Sequence, residues 1–454
     1  MTSSTLDQRD AITYKRILGI AFPIILSTLA QNVIAVADTV FLGNLGEVEL
    51  GAAALAAGFY QVLVMVVFGF GVGAQIVIAR RVGQGQYTEV GNIFQHTLWF
   101  CLFCSLLCWG AFQAWGEWLL PHLVKSPAIL EALDDYMQIR VYGLPFAFGI
   151  VTFNALYVGI ARTQTISIAT IIMGTVNVAL DYGLIFGKLG LPQMGMGGAA
   201  LASVVAEAVG IICYFLLSAF SRYRQRYHTF KHFPFRLRLI GKLIGVSYPI
   251  MIQYFLSFSS YFLFFIFIES LGQRALAISN ITRSMYMLFL LPIWGFCSST
   301  ATLTSYLCGQ NRTSEIPIVV KKTCISTFVF VSLIVLLFIP FHKPILSIFT
   351  QDSLLAQESL MPCAVAIAAT YLMIFAQIIF NTILGRGNTQ AGFFIELINM
   401  ITYFLYGWLV IYIGKCSVEV AFGAEITYTT GLLLLSLLYI FWQKKTGNLQ
   451  VRQF

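Results

Sequence analysis

The chain is 454 residues long, 58% hydrophobic and only 10% charged, with a net charge of +8. Soluble domains carry about 25% charged residues, so this composition excludes a soluble globular protein. The nine cysteines lie mostly in apolar stretches, where thiols act as small hydrophobes, and they make no disulfide framework.

Taken in order, the sequence predicts twelve membrane-spanning helices, at 17–42, 51–79, 92–115, 136–161, 164–187, 196–219, 242–268, 276–307, 319–341, 359–385, 390–413 and 419–442. Each is long enough to cross a hydrocarbon core of about 30 Å. Residues 1–16 are polar and the first apolar segment exceeds a signal-peptide core, so no cleavable signal is expected.

The first helix contains AFPIILSTLAQNVIAVADTVFLG. It carries a bend-prone Pro23 and a lone acid, Asp38, on one face with Ser27, Gln31 and Ala35. An ionised carboxylate in hydrocarbon is costly, and such residues are usually functional. Held away from water, a carboxyl can take up a proton, because desolvation disfavours the charged form. Asp38 is therefore a candidate proton or cation site. The third helix holds Cys101 and Cys104, a CxxC with no further ligands at metal spacing, so no metal is expected.

Asn154 falls in the fourth helix. Membrane helices use Asn to bind one another as well as for function. In the fifth, IIMGTVNVALDYGLIFG, Asn177 precedes Asp181 by four residues and shares its face. Asp38 and Asp181 both lie about four to six residues from the outer ends of their helices, or about 6–9 Å deep. Two carboxyls near each other would titrate as a coupled pair. In the sixth helix Glu207 follows Ser203 by one turn. It reads either as a third coupling acid or as the partner of another polar side chain.

The seventh segment, YPIMIQYFLSFSSYFLFFIFIESLG, is aromatic rather than acidic. Tyr254 and Phe258, with Gln31, are candidate substrate-cavity residues, since aromatic walls suit lipophilic or cationic compounds through stacking and cation–π contacts. Glu269, Glu396 and Glu425 are predicted near helix ends, where snorkelling is cheap.

The chain repeats itself at a shift of 226 residues: Pro23–Ile24 with Pro249–Ile250, Leu45–Gly46 with Leu271–Gly272, Tyr60 with Tyr286, Gly69–Phe70 with Gly295–Phe296, and Gly83–Gln84 with Gly309–Gln310. Phe153–Asn154 matches Phe380–Asn381, and Gly198–Ala199 matches Gly423–Ala424, each within one residue of that shift. Six helices per half bring both halves in from the same side. The expected fold is an all-α integral membrane protein of twelve transmembrane helices, in two parallel six-helix bundles related by pseudo-twofold symmetry. The domains are 1–220, a cytoplasmic basic linker 221–241, and 242–454. Transporters built this way hold substrate between the repeats and rock them for alternating access. Asp38 shifted by 226 is Phe264, so the two halves differ in chemistry.

The basic residues favour one side: Arg80, Arg81, Arg162, the cluster within SRYRQRYHTFKHFPFRLRLIGK (221–242), Arg312, Lys321, Lys322, Arg386, Lys444 and Lys445. Lys188, Arg274, Lys343 and Lys415 fall on the other. This asymmetry follows the positive-inside rule, with both termini cytoplasmic. It explains the net charge by topology and anionic lipid, not nucleic acid. The sequons at Asn280 and Asn311 read as chance matches, and GFGVG at 69–73 reads as close helix packing. No GxxxxGK[ST] is present and no Ser–His–Asp set is evident, so neither a nucleotide-driven pump nor an enzyme is expected.

ADTVFLGNLGEVELGAAALA, GAQIVIARRVGQGQ, FNALYVGIARTQTISIAT, NVALDYGLIFG and GMGGAALASVVAE together resemble the multidrug and toxic compound extrusion family, over essentially the whole chain. Within it the chain looks like the DinF-like branch. The resemblance implies cation-coupled export of drugs or toxic metabolites against H+ or Na+, with no cofactor and no required oligomer, in the plasma membrane, a bacterial inner membrane. It implies Asp38 as principal coupling residue, in a network with Asp181, Asn177, Asn154 and a sixth-helix hydroxyl that Ser203 fits. Pro23 corresponds to the first-helix bend. The NorM-like branch carries acids on the seventh and tenth helices, where this chain has Ser257 and Phe375 with no acid nearby in sequence, and Glu207 stands where relatives have an amide. The alternatives are a flippase of lipid-linked saccharides with the same two-lobed architecture, and a non-transporting membrane receptor or scaffold.

Overall fold

The computed structural model describes residues 12–446 except 125, 348 and 351, without the side chains of 117, 123, 258, 261 and 262. Among the described residues twelve helical stretches are long and apolar enough to cross a membrane. The first five helices are α1 (Tyr14–Gly43), α2 (Glu47–Gly83), α3 (Tyr87–Leu123), α4 (Pro127–Arg140) and α5 (Leu144–Gly159). α6 (Gln164–Phe186), α7 (Gly195–Ala219) and the short α8 (Tyr223–Tyr227) follow. Next come α9 (Leu237–Glu269), α10 (Gln273–Gly309), α11 (Ile316–Leu346) and α12 (Ser353–Glu358). The chain closes with α13 (Leu360–Gly385), α14 (Thr389–Tyr406), α15 (Val418–Ala421) and α16 (Gly423–Lys445). α4 with α5, and α12 with α13, each make one span, as do α15 with α16.

The helices overrun the apolar segments because their end turns carry charges that complement the helix dipole. α2 opens on Glu47 and Glu49 and closes on Arg80 and Arg81. α4 begins at Pro127, nine residues before the predicted span, as an amphipathic helix of half-polar sequence. Between α4 and α5 a tight 3-10 turn, Val141–Gly143, precedes Pro145, which lacks the N–H needed to continue a regular ladder. α6 stops at Gly187, whose left-handed φ of 66° gives the glycine C-cap. Large apolar side chains such as Trp99, Phe103, Leu333 and Leu336 stay exposed on α3 and α11. Apolar faces of that extent suit lipid.

The chain forms two compact units. One is Leu26–Ser247. The other joins the described residues up to Ile25 with those from Tyr248 onward. The divisions fall inside α1 and α9, two residues after Pro23 and two before Pro249, which are partners in the repeat. The units therefore do not divide at the 221–241 segment, because the first turns of each of these helices pack with a different unit from the rest. In the first unit α2 packs on α5 and α6 on α7; in the second α10 packs on α13 and α14 on α16. These are the same neighbours at repeat-related positions.

The basic segment is fastened to α3 within the first unit. Gln95 exchanges hydrogen bonds with the Phe233 backbone, and the Arg236 N–H donates to His96 Nε2 at 2.9 Å. Tyr227 is buried there, and burial pushes its hydroxyl up to about 12.

Candidate functional site

In the first unit α1 and α6 run side by side in the same direction. Ser27 and Thr170, both buried, hydrogen-bond at 2.8 Å. Further along, Gly174 leaves room for Ile34, whose Cδ1 would lie 2.6 Å from a Cβ there. The next polar level brings Asp38 against Asp181. Each acid is five residues before the end of its helix, which explains the meeting. At 1.5 Å per residue that is about 7–8 Å of depth.

Asp181 is 1% exposed and neither of its oxygens has a hydrogen-bond partner; Asp38 Oδ1 is also buried without one. Asn177 stands one turn before Asp181, buried, with its Oδ1 likewise unpartnered. Four buried acceptor oxygens on these three side chains therefore lack a hydrogen-bond partner. Buried acceptors in that state are costly.

Arg140 and Tyr136 adjoin this pair from α4. The charge of Arg140 reaches Asp38, and Tyr136 lies within the fields of Arg140, Asp38, Glu207 and Asp181. Arg140 is itself held by Glu207 in a two-pronged ion pair, Nη2–Oε1 2.5 Å and Nη1–Oε2 2.9 Å. Its guanidinium stacks 3.6 Å from the Tyr60 ring centroid, and the Tyr60 hydroxyl donates to Glu207 Oε2 at 3.1 Å. Gly143 gives the pair space, since a Cβ there would strike both Arg140 and Glu207. Of the two readings of Glu207, the structure places it as the partner of a basic side chain.

The structure thus brings Asp38, Asp181 and Asn177 together and places Asn154 elsewhere. Asn154 Oδ1 accepts from Tyr214 OH at 2.7 Å, and that hydroxyl also faces Thr170, the partner of Ser27. Asn154 therefore belongs to a second polar layer, nearer Pro23 along α1. Ser203 is half-buried one turn before Glu207, Gln31 is exposed on α1, and Pro23 is buried inside a continuous helix. Arg140, Tyr136 and Tyr60 escaped sequence reasoning. An arginine inside the predicted span 136–161 and the repeat match of Tyr60 with Tyr286 were the available signals.

In the second unit Phe264 and Tyr403 occupy the positions related by 226 residues to Asp38 and Asn177, and their rings meet at 6.3 Å. The acid–amide layer of one repeat is an aromatic layer in the other. Arg283 pairs with Glu425 at 2.8 Å beside Tyr286, repeating the arginine–glutamate–tyrosine grouping around Tyr60. The expectation that Glu396 and Glu425 snorkel at helix ends is overturned: they are 1% and 6% exposed. Each faces hydroxyls of neighbouring helices, which sequence distance concealed. Glu269 alone of the three is exposed at a helix end. An acid also stands beside Ser257, for Ser257 Oγ donates to Glu396 at 3.3 Å. Tyr254 is half-buried in the field of Glu396; the side chain of Phe258 lies outside the described residues.

A family model described as MatE matches residues 23–183 and again 249–409, two stretches offset by the repeat shift of 226 residues. The chain belongs to the MatE family. This is a family of transporters rather than enzymes, and the chain is an integral membrane protein. The matched stretches hold Asp38, Asn154, Asn177 and Asp181 as well as Tyr254 and Glu396. A MatE relative from Thermotoga maritima, named a probable multidrug resistance protein NorM, is 24% identical across 95% of this chain and 93% of its own. One of the same name from Agrobacterium fabrum is 33% identical over 44% of this chain and 43% of its own. An outward-facing structure of a multidrug resistance MATE family transporter superposes with a TM-score of 0.83 at 17% identity, covering 97% of both chains. A MOP superfamily transporter from Pyrococcus furiosus superposes at 0.82, with 16% identity and 98% of both chains covered. At those identities the structures establish the fold.

Proposed function

We propose that this MatE protein is a secondary active exporter that antiports lipophilic or cationic compounds, drugs or toxic metabolites, against H+ or Na+ by alternating access. The carrying observation is the facing Asp38–Asp181 pair, three of whose oxygens are buried without a hydrogen-bond partner inside two membrane spans. Asp38 is the principal coupling carboxyl. Asp181 and Asn177 set its charge environment, and the Arg140–Glu207 pair fixes the neighbouring field. Asn154 and Ser203 support the same helices from the second layer and from α7. The DinF-like resemblance supports this division of roles, and the names carried by the relatives support drug-like cargo. Gln31, Tyr254 and Phe258 are the residues assigned to substrate. The positive-inside pattern supports cytoplasmic termini in a bacterial inner membrane. No cofactor, nucleotide or oligomer enters the cycle.

The test is dye accumulation in cells stripped of their own exporters. Expression of the wild type lowers accumulation of a lipophilic cationic dye, and Asp38→Asn at equal membrane abundance does not. Equal dye levels with and without the wild-type protein, across a panel of such dyes, contradict the proposal.

A further inference from the structure

At the positions where Ser27 and Thr170 satisfy each other in the first unit, the second unit carries Gln253 and Glu396. Glu396 sits on α14, 1% exposed. Its Oε1 accepts from Tyr428 OH of α16 at 2.8 Å and from Ser257 Oγ of α9 at 3.3 Å. Its Oε2 has no partner. Gln253 Oε1, one turn before Ser257, and Asn399 Oδ1, one turn after Glu396, are also buried and unpartnered. The amide nitrogen of Asn399 is already engaged, donating to the Tyr428 carbonyl at 3.0 Å. The unmatched atoms are all acceptors.

The other paired acids of this chain differ. Glu207 has the buried Arg140 and Glu425 the partly buried Arg283. Glu396 has none among the described residues. The titratable groups around it are Tyr254 from α9 and Tyr428 from α16. Beyond Tyr428 stand Glu425 and Tyr286, with Arg283 of α10 already committed to Glu425. α13 also packs on α14, but its Tyr371 is turned to Ser332 and Phe328 of α11. A lone buried carboxylate must be neutralised by protonation or by a positive partner. Hydroxyl and amide oxygens are the donor set of hard cations.

We infer that Glu396, with Gln253, Ser257, Asn399 and Tyr428, forms a monovalent-cation site of the second unit, taking a proton or a sodium ion. Phe264 and Tyr403 fill the positions matching Asp38 and Asn177, so it is a separate site rather than a shifted copy of the first. It stands whether or not the protein exports drugs, because it can be read by spectroscopy and binding alone.

The experiment uses the full chain in detergent. Infrared spectra are recorded over a pH series in sodium-free buffer, for the wild type, Glu396→Gln, Tyr428→Phe and Asp38→Asn. Binding of radiolabelled sodium is measured on the same samples. If a proton occupies the site, one protonated-carboxyl band is lost in Glu396→Gln, shifts in Tyr428→Phe and survives in Asp38→Asn. If sodium occupies it, the wild type and Asp38→Asn bind one sodium that Glu396→Gln does not. Either pattern supports the site and names its cation. Wild type and Glu396→Gln alike in carboxyl bands and in sodium binding overturn it. So does a Glu396-dependent signal that also vanishes in Asp38→Asn, which assigns it to the first site. If Glu396→Gln fails to fold, Tyr428→Phe carries the test: a carboxyl band or a sodium affinity that it moves supports the site, and neither moving overturns it.

Discussion

Arg140 and Glu207 are 9% and 15% exposed at their side chains, and each oxygen of the carboxylate meets one guanidinium nitrogen. Breaking a buried pair from one side strands the other charge, at a cost of about 3–5 kcal/mol. Arg140→Met and Glu207→Leu should therefore each destabilise by that amount. Combining them removes both charges and leaves only the Tyr60 hydroxyl without its acceptor, a cost of about 1–3 kcal/mol. The double variant should thus be more stable than either single one. Thermal unfolding in detergent, followed by tryptophan fluorescence, reads this directly: the single variants lose about 3–5 °C, and the double variant recovers part of the loss. Additive losses in the double variant would refute the reasoning, because they would mean that neither charge depends on the other.

Two further outcomes follow from the same region. Gly143→Ala drives a Cβ into the Arg140–Glu207 pair, and overpacking of that kind costs about 1–3 kcal/mol; an unfolding midpoint equal to wild type refutes the close approach. Asp181→Asn leaves one carboxyl where two now interact, so the pH profile of efflux should collapse from two steps to one. A two-step profile in the variant assigns the second step to another group.

Twelve spans and two repeats were legible because hydropathy and sequence shift are properties of the chain alone. Asp38, Asp181 and Asn177 were legible for a similar reason. Equal depth on neighbouring spans, and a spacing of four on one helix, are one-dimensional facts that survive folding. Partners were not. Ser257 and Glu396 lie 139 residues apart, and Arg140 and Glu207 lie 67 apart. Nothing local signals either contact. Position along the predicted spans suggested that Glu396 and Glu425 sit at helix ends, but burial is decided by the helices packed around them. Asn154 is the opposite case. Its polar character was plain, yet the side chain turns to Tyr214 rather than toward Asp38. The unit boundary was hidden too, because it falls inside α1 and α9 rather than in the basic segment that looks like a linker.

The most direct test of the central claim is efflux from proteoliposomes carrying the purified wild type or Asp38→Asn, energised in turn by a proton gradient alone and a sodium gradient alone. The account predicts that one gradient drives the wild type to export a lipophilic cationic compound, and that neither drives the folded Asp38→Asn variant. Undiminished gradient-driven efflux by Asp38→Asn would contradict it.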